Sequence, residues 1–253
     1  MKKMYLGCAM LAISFALVAC GDDSTSASAS GNDDKEISSS SSNQQKTSSS
    51  SERSKTEYKC GKETYDPQKQ FCAKWGGEDE AVYNKVTIGE GANEQTWLAE
   101  NLNYETAEGS YCYYDEDTYC NRYGRLYTWA AAKTACPDGW RLPTLDEWKK
   151  LVTNVDANLT GPWNEDWETD NVAGKAMKSK SGWNGSNESG FSALPAGGMF
   201  FLSRDENWAT YFLSDTEFDT DNVVITALFD NSESLFFAYS SKSDALSVRC
   251  IQD

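Results

Sequence analysis

The chain contains no histidine. That absence removes Ser-His-Asp and Cys-His catalytic arrangements and any zinc site built on imidazole, so most hydrolase templates fail before geometry is considered. Acid/base work would fall to carboxylates, tyrosine or lysine. Long apolar runs are scarce too: the stretch from Leu6 to Val18 is shorter than the roughly 20 residues a membrane-spanning helix needs. Positive charge is also in short supply, with 23 Lys and Arg against 39 Asp and Glu and a net charge of -16. Such a surface repels phosphate backbones and anionic lipid heads, so no nucleic-acid partner is expected.

What is present begins with Lys2 and Lys3 ahead of that short apolar run, the pattern of a signal peptide over residues 1–19. Its end, Leu17-Val18-Ala19-Cys20, has the form of a bacterial lipobox. Cys20 is then the lipidated first residue of an exported protein, held to the membrane through its acyl chains alone. Gly21 after the cysteine leaves outer-membrane delivery open, at the cell surface or the periplasmic face. Loss of the two leader lysines deepens the negative charge by two.

Residues 20–56 form a lipidated cysteine followed by a serine-rich stretch without aromatic residues or proline, 14 serines in all. It cannot bury enough apolar surface to offset its ordering entropy and reads as a solvated tether. All nine tryptophans lie beyond it, giving the remainder ample material for a core. A small cysteine-bounded appendage is expected at 57–81 and one larger domain at 82–253.

Cys60, Cys72, Cys112, Cys120, Cys136 and Cys250 remain in the exported part. An even number behind a signal peptide argues for three disulfides, though six cysteines permit fifteen connectivities. Proximity and turn chemistry favour Cys60 with Cys72 and Cys112 with Cys120, which leaves Cys136 with Cys250. In "CPDGWRLPTLDEW", from Cys136 to Trp148, the cysteine would staple a helix end to the final strand, Pro137-Asp138-Gly139 would turn the chain, and the two tryptophans would fill the space beneath.

Two short helices are expected. "GRLYTWAAAKTAC" carries Leu126, Trp129, Ala130 and Lys133 at helical spacing. A second opens at Thr144, where Thr144 and Glu147 form a capping box and Leu145, Trp148, Leu151, Val152 and Val155 line one face. "KVTIG" and "EQTWLAENL" read as strands, and so do "GFSALPAGGMFFL", "WATYFLSD", "NVVITALFD", "SLFFAYSS" and "ALSVRCIQD" between Gly, Asn, Asp and Ser breakers, as short antiparallel strands.

The segments "QTWLAENLNYE", "YGRLYTWAAAKTACPDGWRLPTLDEWKKL", "GFSALPAGG" and "SVRC" resemble the Fibrobacter succinogenes major paralogous domain, a family of exported bacterial proteins, over about Val82 to Cys250. The family's usual Gly-Trp-His stands here as Gly139-Trp140-Arg141. "RLPTLDEW" is more distantly similar to a segment of the formylglycine-generating enzyme superfamily. That resemblance implies an α+β, C-type-lectin-like domain with antiparallel strands and long irregular loops, stapled by disulfides.

Among functions, an oxidase of the latter kind would need free thiolates for copper, and the cysteines are consumed by bridges. A glycosidase would need two converging carboxylates; Asp115, Glu116, Asp117, Glu165, Asp166, Glu168 and Asp170 are abundant, but no spacing singles out an acid. Asn164–Asn171 and Asp215–Asn222 alternate acids as calcium loops do, without the sixth-position glycine or following glutamate of an EF-hand. No metal or cofactor is therefore expected, calcium being the one ion these loops would suit. The leading expectation is a non-enzymatic recognition module of the cell envelope. Its ligand would be a polysaccharide engaged by Trp163, Asp166, Trp167, Asp170 and Trp183 in the long irregular region. The alternative is a structural component that contacts other envelope proteins.

Overall fold

The computed structural model describes residues 65–77, 79–156, 158–159, 171–200 and 207–253. Cys20, the serine-rich tether, Cys60, Trp163, Asp166, Trp167 and Asp170 lie outside the described residues. Along the chain run β1 (Gln70–Trp75), β2 (Asp79–Ile88), β3 (Gln95–Leu98), β4 (Ser110–Tyr111), α1 (Asp117–Tyr123), β5 (Leu126–Tyr127), α2 (Trp129–Ala135), β6 (Trp140–Arg141), α3 (Leu145–Val155) and α4 (Ala173–Met177). They are followed by β7 (Ala209–Glu217), β8 (Asn222–Phe229), β9 (Leu235–Ser241), β10 (Leu246–Ser247) and β11 (Ile251–Gln252). One sheet has the order β1-β2-β3-β11-β6 and the other β4-β5-β10-β7-β8-β9. Pairings between these strands are antiparallel except for β10 with β7, at Ser247 opposite Phe212. The architecture is a mixed helix and sheet fold with short helices.

β7 and β8 are buried on both faces, which is why they read as apolar runs rather than as an alternation. Ala209, Tyr211, Leu213, Val223, Ile225 and Ala227 point into one hydrophobic cluster with Tyr127, Ala132 and Ala135. Phe212 and Leu228 point the other way, toward α3, α4 and Trp97. In that second cluster Trp97 and Trp148 meet at 4.8 Å, and Trp148 stacks on Phe212 at 5.5 Å. The indole N–H groups of both tryptophans find no acceptor among the described residues. Ring packing and burial therefore outweigh two polar groups that would otherwise count against the fold.

Helix α3 forms where the local signals place it. The Thr144 hydroxyl accepts from the Glu147 amide and the Glu147 carboxylate accepts from the Thr144 amide, a reciprocal cap. Leu145, Trp148, Leu151 and Val152 are its buried face. Just upstream, Trp140 N–H donates to Pro137 O across a turn in which Gly139 takes φ +80°. That positive φ is what only glycine adopts without strain. Cys136 caps the end of α2 and is bonded to Cys250, one residue before β11.

Four sequence expectations change. The described residues contain four short α-helices rather than two. Leu126 and Tyr127 are strand β5, and the buried side of α2 is Ala132 and Ala135 while Ala130 and Lys133 face solvent. The three-alanine run hid which side faces inward, since small residues suit either. Residues 191–200 form isolated bridges and no strand, because Pro195 and the glycines at 190, 197 and 198 deny them a continuous ladder. Finally, a boundary at 81/82 falls within β2, and β1 is an edge strand of the five-stranded sheet. Trp75 fixes it there, stacking on Tyr104 at 4.2 Å and donating its indole N–H to Ala135 O at 2.8 Å.

Candidate functional site

The cysteines come first, because they decide which chemistry is open. Cys112 is bonded to Cys120 and Cys136 to Cys250, and Cys72 is disulfide-bonded as well. All five described cysteines are thus engaged, and none of them offers a thiolate to a metal.

The carboxylates of Asp215–Asn222 diverge. Asp215 pairs with Lys133 at 2.7 Å and Glu217 with Lys242 at 2.6 Å, while Asp219 accepts from the amides of Asp221 and Asn222. The Asp219 carboxyl is held below its usual range, first by the Asn222 side chain and then by the Asp221 amide. In the other proposed calcium loop, Asn164 to Asp170 lie outside the described residues. Asn171 is buried, its carboxamide clamping both the N–H and the C=O of Leu235. Among the described residues no three acidic or cysteine side chains gather to hold a metal ion. Asp115, Glu116 and Asp117 are all exposed.

Trp183 is corrected from a loop platform to a core residue. It is 9% exposed, its indole N–H donates to Ala193 O at 2.8 Å, and Lys178 Nζ lies 5.3 Å from its ring centroid. Its glycine and asparagine neighbours suggested an open loop, but Gly185 packs on the Lys178 backbone and Asn184 bonds Lys178 Nζ and Asp230 O.

Two buried cations escaped the sequence reading. Arg249 is wholly buried, with its guanidinium 4.4 Å from the Phe191 ring centroid and 5.7 Å from that of Phe212, and donates to Asn101 Oδ1 and to the carbonyls of Leu98, Phe191 and Ser192. Burial pulls its pKa down to about 9, so it stays protonated at neutral pH. Lys178 donates to Asn184 Oδ1, Phe229 O and Ser232 O, and burial likewise lowers its pKa. Their hydrogen-bonding partners are neutral oxygens. Each binds distant segments together through their backbone carbonyls, which is a structural task. The available signal for Arg249 was an arginine beside a disulfide cysteine in the otherwise apolar "ALSVRCI".

A polar groove of about 330 Å³ lies between Gln95, Lys150 and Gln252. Its Glu147 is already held by Arg141 at 2.8 and 2.6 Å as well as by the helix cap. Burial pushes that carboxyl up, but the Arg141 and Thr144 hydrogen bonds outweigh burial and keep its pKa below the usual value. Lys150 is engaged too, donating to Ala92 O at 2.8 Å.

The order of these features along the chain, from β3 through the cap of α3 to the Arg249-Cys250 pair, is matched by a family model described as Fibrobacter succinogenes major domain, over residues 87–252. The chain belongs to that family. The buried bolts of this major domain, Trp97, Trp148, Arg249 and the Cys136–Cys250 bridge, all fall inside the matched span. No curated protein and no solved structure matches the chain.

What the surface offers is aromatic. The exposed large apolar side chains among the described residues are Tyr111, Tyr114, Trp208, Phe218, Phe236 and Tyr239, with Val172 the sole aliphatic one. Phe218 and Tyr239 stack at 4.5 Å with their planes 5° apart. No helix among the described residues is long and apolar enough to cross a membrane.

Proposed function

We propose that this major domain is a non-enzymatic recognition module of the cell envelope, carried on a lipidated Cys20 behind a serine-rich tether, with carbohydrate as its ligand class. The observation that carries the reading is the composition of the exposed apolar surface, six aromatic side chains and one valine. Aromatic faces stack on the C–H faces of sugar rings, while carboxylates and amides nearby accept hydroxyl hydrogen bonds. The scaffold fits a lectin-like domain: short helices, antiparallel strands, long irregular connections and a bridge from an early helix to the last strand. With every described cysteine bonded, copper-thiolate oxidation has no support in these residues.

A pull-down of the exported chain on cellulose and other insoluble plant polysaccharides tests the reading. Saturable retention is expected, weakened in Trp163→Ala or Trp167→Ala if the long irregular region contributes. A second reading, contact with another envelope protein, is favoured by the patch in which Trp208, Phe229 and Phe236 adjoin at 5.7 and 5.6 Å. Absence of saturable glycan binding would leave that second reading in place.

A further inference from the structure

Between the loop at 106–111 and the outer side of α2 runs a groove of about 500 Å³, within the roughly 300–1,000 Å³ typical of small-molecule sites. We propose that this groove is a saccharide-binding cleft for a neutral sugar chain. The inference rests on the carbohydrate reading above and assigns it a place.

The chemistry of the lining selects the ligand. Tyr111 is one wall, 40% exposed, a large amphipathic ring of the kind that gives contact area at low entropic cost. Gly109, Ala130 and Ala131 are the small residues along the cleft, leaving room for a ring to lie close to the backbone. Thr128, Thr134 and Glu108 supply hydroxyl and carboxylate oxygens. Thr128 occupies the N-cap of α2, and its side chain makes no capping hydrogen bond. No lysine or arginine lines the groove and only one carboxylate does. Phosphate and sulfate esters are thereby disfavoured, and a metal ion would lack ligands.

The walls are also set in advance. Tyr111 sits on β4 opposite buried Leu126, and its neighbour Cys112 is tied to Cys120. The loop is drawn onto the helix by the Thr128 amide, which donates to Gly109 O at 2.9 Å. Within the loop, Thr106 N–H donates to Ser110 Oγ at 3.0 Å, and the Thr106 hydroxyl donates to Glu108 O at 2.7 Å. Gly109 has φ +77°, and a Cβ there would stand 2.6 Å from Thr128 Oγ1, so glycine is what permits the close approach. A cleft fixed before binding loses little freedom when occupied.

The test is isothermal titration of the full chain in detergent with cellohexaose, xylohexaose and mannohexaose. It is repeated on Tyr111→Ala and Ala130→Trp, both changes at exposed positions, with Trp208→Ala as a variant at an exposed aromatic that does not line the groove. Saturable binding of at least one oligosaccharide is expected, weakened 10-fold or more by Tyr111→Ala, abolished by Ala130→Trp, and unchanged by Trp208→Ala. Thermal melts matching the parent exclude misfolding as the cause. Binding that survives both groove variants would overturn the cleft while leaving the carbohydrate reading intact; no heat with any of the three sugars at millimolar concentration would overturn both.

Discussion

The two disulfides described within the domain use one chemistry for different ends. Cys136–Cys250 spans 114 residues, and Cys250 is fully buried, packed in a hydrophobic core beside Val248 and Ala135. Cys112–Cys120 spans eight residues and brackets exposed Tyr114 and Asp115, both at positive φ. Loop-closure entropy scales with the logarithm of the enclosed length. By that account the long bridge restricts the unfolded chain by about 5 kcal/mol and the short one by about 2.5 kcal/mol, before any native-state offset. The long bridge secures the fold, whereas the short one holds a loop whose left-handed backbone would be costly to maintain alone.

Breaking the long bridge should therefore have the largest effect. Joint Cys136→Ala and Cys250→Ala replacement is expected to lower stability by about 4 kcal/mol, read from urea unfolding, with a steeper slope because the uncross-linked unfolded chain exposes more surface. Next comes Arg249, which works beside that bridge. Arg249→Met would leave Asn101 Oδ1 and three carbonyls without their donor, at about 3 kcal/mol. An effect under 1 kcal/mol would show that water replaces the guanidinium.

The short bridge sharpens the contrast. Cys112→Ala with Cys120→Ala should cost about 2 kcal/mol and raise hydrogen exchange in residues 111–120 while leaving β7 and β8 protected. If exchange rose equally in both regions, the two bridges would not differ in role.

Smaller still is the cap of α3. Thr144→Ala is expected to cost about 1 kcal/mol. Because the Glu147 pKa is lower in the folded than in the unfolded state, its contribution is complete above the unfolded carboxylate value of roughly 4.3 and is lost as pH falls through the folded value. Glu147→Gln should accordingly flatten the acid limb of the stability curve and leave its alkaline limb untouched. Tyr111→Ala, at an exposed position, should shift stability by less than about 0.5 kcal/mol.

How much of this was legible in the sequence follows from the range of the interactions. The cap of α3, its apolar face and the turn at Pro137 to Gly139 are set by residues within a few positions of one another, so their pattern is visible locally. The joining of β1 to the five-stranded sheet is not, because it depends on Trp75 finding Tyr104 and Ala135. The inward side of α2 was misjudged because three consecutive alanines give no amphipathic signal. Arg249 was missed for a related reason: its acceptors come from residues 98, 101, 191 and 192, and nothing near position 249 announces them. Of the tryptophans assigned to a ligand, Trp183 turns inward, and Trp163 and Trp167 lie outside the described residues. Tyr111 carried no signal beyond its cysteine neighbour, since a cleft is made by two segments that sequence alone does not bring together.

One topological detail bears on how the molecule is made. In both sheets a strand from the last stretch of the chain is threaded between older neighbours, β10 between β5 and β7 and β11 between β3 and β6. A polypeptide emerging amino end first can build hairpins early, but neither layer can close until residues 246–252 arrive. Cys136 likewise cannot meet its partner until Cys250 is present, so a thiol oxidised before that stretch arrives would be joined to the wrong sulfur.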